Sequence, residues 1–230
     1  MIQTLFLDAG GVIVHPNWER VAAVLNQHGV AASAETLRAA EPPAKRVIDE
    51  GTNIKRTTDA QRAWRYMDLV FEGAGVPRSD ATDTAIKEIA AYHAEHNLWE
   101  HVPDEVRPAL TRLRAIVPKL VVVSNANGVL HRAFDRLGLT PYFDVICDSF
   151  VEGIEKPDPR YFYLALERSG SAAETTMHVG DLYHVDVVGA RGAGLQAVLL
   201  DSAGLYDDVD CVRVRTLNEL VNVVHQASAD

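Results

Sequence analysis

The chain has few of the residues that mark out several whole classes of protein. Its 230 residues include only two cysteines, Cys147 and Cys211, far apart in sequence. That is too few for a disulfide framework, and a reducing cytoplasm is the simplest expected location. No stretch approaches the ~18 consecutive apolar residues of a membrane span. The N-terminus has neither the basic start nor the long apolar core of a secretory signal. Positive charge is also scarce: 22 Lys and Arg stand against 32 Asp and Glu, a formal net charge of −10. That balance argues against a nonspecific grip on nucleic acid or anionic membrane, but it leaves room for a local basic pocket. Internal repeats and low-complexity tracts are missing as well. With 47% apolar and 23% charged residues, the composition is that of a soluble protein with a good core. The length suits one large domain or one domain with an insertion. A monomer or homodimer acting on a small molecule is expected, with no nucleic-acid or membrane partner.

What is present is a rhythm of short apolar runs. TLFLDA (4–9), LVVVSN (120–125), VICDS (145–149), MHVGD (177–181) and QAVLLD (196–201) are rich in Val, Ile and Leu, and a weaker sixth, CVRVRT (211–216), follows. Near-continuous apolar runs fit parallel strands buried on both faces. Helical patterns lie between the later ones. GVLHRAFDRLG carries Leu130, Phe134 and Leu137 on one face before Gly138, and DPRYFYLALERSG opens with Asp158 and Pro159 and closes at Gly170. SAAE (171–174) reads as a capping box. Strand and helix in this alternation predict an α/β fold, a doubly wound, mainly parallel Rossmann-like sheet.

Residues 15–99 break the rhythm. Trp18, Val21 and Leu25 stand at helical spacing, with Gly29 as a stop; Pro42 and Pro43 punctuate; two further helices follow. The expected organisation is a catalytic core of 1–14 and 100–230 with a small all-helical cap of 15–99. In this segment Trp64, Tyr66 and Met67 read as cap core, and Lys55, Arg62 and Arg65 as solvated surface. Leu98 and Trp99 read as packing where the cap rejoins the core.

Chemistry-bearing residues fall at the carboxyl ends of the strands: Asp8, Ser124 with Asn125, Lys156 after the third run, and Asp181 followed by Asp186. Parallel strands would bring them all to one edge of the sheet, where such folds bind ligands. Each has a plain reading. Asp8 before two glycines can be a turn acid, Ser124 and Asn125 helix caps, Lys156 a loop lysine, Asp181 a turn residue and Asp186 a first-turn helix acid. Their coincidence at one edge suits phosphoryl transfer. That reaction needs an in-line nucleophile, charge stabilisation on the phosphoryl oxygens, and carboxylates that can hold magnesium. A dinucleotide-binding reading of GARGAG (189–194) fails on the order of its glycines, which suit a tight connection into the next strand instead.

In these motifs the chain resembles the haloacid dehalogenase superfamily. The resemblance covers essentially the whole chain in the right order. LFLDAGGV is similar to the nucleophile motif, VVVSN to the second motif, EKPDPRYF to the third and HVGDLYHVDVVGARGAG to the fourth. It implies that Asp8 forms an aspartyl-phosphate that water hydrolyses. It also implies that Ser124, Asn125 and Lys156 bind the phosphoryl group, with Ser124 and Lys156 also catalytic. Mg2+ would be held by Asp8, the Gly10 carbonyl, Asp181 and Asp186. A magnesium-dependent phosphatase of a small phosphorylated metabolite is therefore expected.

One position departs from the pattern. Phosphatases of this family carry a second aspartate two residues after the nucleophile, and here that residue is Gly10. General acid–base help contributes about 10²–10⁴ in rate, roughly 3–5 kcal/mol of barrier. Its loss should hurt alkyl phosphates more than acyl or aryl phosphates. His15 and His184 are candidate substitutes. Three alternatives follow from the missing acid: a metal-independent 2-haloacid dehalogenase, a phosphonate hydrolase with Lys45 or Lys55 as Schiff-base lysine, and a non-catalytic phosphate-binding relative. Family members that release halide need no magnesium and lack the metal acids, so Asp181 and Asp186 weigh against the first.

Overall fold

The computed structural model describes residues 1–54 and 56–229. In chain order its strands are β1 (Thr4–Leu7), β2 (His15–Pro16), β3 (Trp99–His101), β4 (Lys119–Ser124), β5 (Val145–Asp148), β6 (Thr176–Gly180), β7 (Gln196–Leu200) and β8 (Val212–Val214). Six of them form one sheet in the order β5-β4-β1-β6-β7-β8, and every pairing is parallel. The chain runs from β1 outward through β4 to β5, then crosses back to β6 and runs outward the other way. The order therefore reverses at β1 and β6, and the carboxyl ends of those two strands flank the crevice such a reversal creates. By internal contacts the chain divides into two units, Met1–His15 with His101–Asp230, and Pro16–Glu100.

The expected all-helical segment is not wholly so: β2 and β3 pair at its two ends, and between them the Pro16–Glu100 unit is helical, with α1 (Trp18–Gln27), α2 (Ala34–Ile48), α3 (Gly51–Ile54), α4 (Asp59–Gly73) and α5 (Asp80–His96). Its starts are written in polar caps. Asn17, Ser33 and Ser79 each accept a backbone N–H of the first turn, and Thr58 forms a full capping box with Gln61. Gly29 ends α1 in the left-handed region, at φ 78°.

Three further expectations for this segment need correction. Pro42 and Pro43 do not end a helix but lie inside α2. Each removes a backbone donor there, yet Leu37, Ala40, Ala44 and Ile48 stay buried along one stripe. Trp18 Nε1 also donates to Glu41 Oε2 at 2.9 Å, so packing overrides the local preference. Trp64 is not cap core but 52% exposed, whereas Tyr66 is buried against Trp18 and Trp99. Arg62 is not solvated but 4% exposed; it donates to the Thr57 carbonyl at 2.6 Å and pairs with Asp59. Lys55 lies outside the described residues.

Around the sheet come α6 (Val106–Ile116), α7 (Leu130–Arg136), α8 (Ser149–Glu152), α9 (Pro159–Ser169), α10 (Val188–Gly192) and α11 (Leu217–Ala229). Phe6, Val121, Val123, Cys147 and Leu199 form one apolar face with Tyr161, Phe162 and Ala165 of α9 and Ala190 of α10. Leu5, Leu7, Leu120 and Val122 alternate with these and are buried on the opposite face. The predicted capping box at 171–174 is not formed. Ala173–Thr175 is a short 3₁₀ turn without a side-chain cap, and the Ser171 hydroxyl instead bonds that of Thr4 at 2.8 Å. Both cysteines are free thiols. No helix among the described residues is long and apolar enough to cross a membrane.

Candidate active site

The carboxyl ends of the central strands carry the expected residues. Asp8 follows β1, Ser124 ends β4, and Asp181 follows β6. Lys156 reaches the same edge from the loop between α8 and α9. Although a lysine, it is only 1% exposed. Its Nζ lies 2.8 Å from Asp8 Oδ1 and 2.7 Å from Asp186 Oδ1. A buried ammonium persists only when paired in this way. Ser124 is also buried, its hydroxyl donates to the Asn125 carbonyl at 3.4 Å, and its effect on Asp8 is to favour the ionised carboxylate slightly. Just after Asp8 the chain folds back on itself: Ile13 and Val14 both donate to the Ala9 carbonyl, at 2.9 Å. Gly11 takes φ 75° in this turn, a conformation that disfavours any other residue, while Gly10 has no such requirement.

Asp186 occupies a π-helical turn, Tyr183–Val187, that leads into α10. Besides Lys156, His178 Nε2 of β6 lies 3.0 Å from its Oδ1, and Leu182 N–H donates to its Oδ2 at 3.0 Å. The carboxylate is folded back onto the end of β6. A Cβ at Gly180 would lie 2.0 Å from Asp186 Cγ. Gly180→Ala should therefore push Asp186 out of its seat, destabilise the fold by about 1–3 kcal/mol and weaken activity. Thermal unfolding and turnover measured together check this; an unchanged melting temperature and rate would show the seat to be adaptable.

The electrostatics set the protonation states. Burial alone drives Lys156 toward the neutral amine, but Asp186 and Asp8 more than reverse it and hold it as ammonium. For Asp186, burial works against ionisation, while Lys156 and the hydrogen bond from His178 outweigh it and keep the carboxyl well below the usual range. Asp8 is different. Burial raises it, Lys156 only partly opposes this, and the Asp186 charge adds to the rise. His178 is held neutral, chiefly by burial. Asp8, Asp181 and Asp186 each offer a carboxylate oxygen within 4.8 Å of the others. Three carboxylates against one ammonium leave two negative charges, the complement of a hard divalent cation with oxygen ligands.

Ser124 and Asn125 do not cap the next helix. Asp148, at the end of β5, accepts from Gly128 N and Leu130 N and does that work. The Asn125 amide is turned onto the Lys156 backbone in both directions: Nδ2 donates to the Lys156 carbonyl at 3.0 Å and Oδ1 accepts its N–H at 2.8 Å. Its role in this structure is to hold the loop that carries Lys156. Two residues at this edge were not picked out from sequence. Tyr161 donates its hydroxyl to the Ser124 carbonyl at 2.9 Å, and His178 donates to Asp186. A histidine inside an otherwise apolar strand was the available signal for the second. Tyr161 had none, being one apolar-face residue of α9 among several. Of the candidate substitutes for the missing acid, His15 lies on β2 and His184 sits edge-on to Tyr183, ring centroids 5.1 Å apart. Lys45 pairs with Glu41 at 2.9 Å.

A doubly wound parallel sheet with this centre at its switch point marks an α/β protein with a ligand site at the carboxyl edge. Comparison with known proteins agrees. The family model for haloacid dehalogenase-like hydrolases matches residues 2–194. Ribulose-1,5-bisphosphate 5-phosphatase of Halopiger xanaduensis is 34% identical over 189 residues, 74% of this chain and 77% of that protein. The 2-haloacid dehalogenase of Pseudomonas syringae pv. Tomato superposes with TM-score 0.62 at 26% identity, covering 99% of this chain and 100% of that one. The HAD-hydrolase YfnB of Bacillus subtilis superposes with TM-score 0.71 at 18% identity, covering 97% and 98%. The chain belongs to the haloacid dehalogenase-like hydrolases.

Proposed function

We propose that this hydrolase is a magnesium-dependent phosphatase of a small phosphorylated metabolite, with Asp8 as nucleophile and the Pro16–Glu100 unit as its cap. The observation that carries the reading is the gathering of Asp8, Asp181 and Asp186 within 4.8 Å of one another, with the Lys156 ammonium paired to Asp8 and Asp186. Displacement of halide needs no such set of acids. The phosphatase name of the Halopiger relative adds support.

Asp8, Asp181, Asp186 and the Gly10 carbonyl would hold the cation, which when bound neutralises charge between the nucleophile and the phosphoryl oxygens. Lys156 holds the Asp8 carboxylate, and Lys156 and Ser124 supply donors to the phosphoryl group. Asn125 and Tyr161 hold the backbones of Lys156 and Ser124 in place. Asp8 attacks phosphorus, the bond from phosphorus to the leaving oxygen breaks, and an aspartyl-phosphate forms. Water then attacks that phosphorus, releasing phosphate and regenerating Asp8. Gly10 donates no proton to the leaving oxygen, so acyl and aryl phosphates are the favoured substrates.

The dehalogenase reading has one observation in its favour, the absence of an acid at Gly10. The test is release of phosphate from acyl, aryl and alkyl phosphates, with magnesium or with EDTA, beside halide release from 2-haloacids. Magnesium-dependent phosphate release, lost in EDTA, is expected. Metal-independent halide release without phosphatase activity would sink the proposal.

A further inference from the structure

His178 stands in the middle of β6 and is fully buried. Its neighbours in register, Phe6 and Ala197, belong to the apolar cluster, and the Phe162 ring meets it edge-on at 5.0 Å. An apolar side chain would fill that space with no polar atom to satisfy. Nδ1 has no hydrogen-bond partner among the described residues. The polar contact the ring makes is from Nε2 to Asp186 Oδ1, at 3.0 Å. A carboxylate only accepts, so Nε2 carries the proton.

Asp186 receives two side-chain donors on Oδ1. Lys156 is shared with Asp8, at 2.8 Å, whereas His178 serves Asp186. When Asp8 is esterified, Lys156 exchanges the free Asp8 carboxylate for the phosphoryl group. His178 is the donor whose geometry does not depend on the state of Asp8. With Leu182 N–H on Oδ2 and Gly180 beneath, it seats the carboxylate from a side that the reaction does not touch.

We propose that His178 is a positioning residue for divalent-cation binding: its Nε2–H keeps Asp186 turned toward Asp8 and Asp181. This rests on the cation-dependent reading above, and the experiment separates the two. Magnesium binding to the full chain is measured by calorimetry without substrate, for wild type, His178→Phe and His178→Gln. Thermal unfolding in EDTA is measured alongside. Phe removes the donor and keeps an aromatic ring, and it should weaken magnesium binding about tenfold or more. Gln restores an N–H at similar reach and should stay within about threefold of wild type. The melting temperature of the Phe variant should match or exceed wild type. A folded Phe variant that binds like wild type overturns the proposal, and so does a Gln variant as weak as Phe, because ring volume would then be the cause. If Phe does not fold, His178→Leu against His178→Gln makes the same comparison. A wild type that shows no magnesium binding removes the cation-dependent reading itself.

Discussion

Asp8→Asn should abolish turnover, by about 10³-fold or more, while leaving the protein folded. The amide keeps the shape of the carboxylate but cannot form the phosphoryl ester. Stability should move the other way. Burial raises the Asp8 pKa in the folded chain, so ionising it works against folding. A group raised in this way favours folding below its unfolded pKa and loses that contribution as pH rises through its folded pKa. In EDTA at neutral pH the Asn variant should therefore melt at or above the wild-type temperature. Lys156 retains Asp186 as partner, at 2.7 Å. The advantage should shrink as pH falls below the usual carboxylate range, where Asp8 is protonated in both states. Beryllium fluoride, an acyl-phosphate mimic, should bind wild type and not the variant. Phosphatase activity that survives Asp8→Asn would remove Asp8 from the reaction.

Gly10→Asp should raise turnover of alkyl phosphates by about 10²-fold or more, and of aryl and acyl phosphates much less. An acid two residues after the nucleophile adds proton donation to the leaving oxygen, a contribution of about 10²–10⁴ where the leaving group is basic. The backbone permits the change: Gly11, not Gly10, has the positive φ, at 75°. The measurement is kcat/KM across esters of graded leaving-group pKa. Wild type should show a steep decline as that pKa rises, and the variant a shallower one. Parallel slopes would mean that another residue already supplies the proton, and the preference for acidic leaving groups would fall with that result.

Sequence and structure agree where chemistry follows from local pattern. The strand runs, the Asp158 and Gly170 caps of α9, and the placement of Asp8, Ser124 and Asp181 at strand ends all follow from short-range rules. They part where burial overrides propensity. The two prolines of α2 persist inside a helix because its apolar stripe is buried. Arg62 is inside and Trp64 outside, because α4 presents a different face to its neighbours than its aromatic content implied. Asn125 is taken by the Lys156 backbone, a partner 31 residues away that no local motif announces.

The sequence by itself determined the parallel α/β class, the helical segment after the first strand and the identity of the acids, hydroxyl and lysine at the carboxyl edge of the sheet. It did so because strand periodicity and residue chemistry are local properties. Only the tertiary structure decided how those groups share charge. Lys156 is buried between two carboxylates, Asp186 is seated by Gly180, Leu182 and His178, and Asp8 is left as the acid with a raised pKa. Such sharing depends on distances of a few ångström between residues up to 178 positions apart in the chain, and on how much water the fold removes around them.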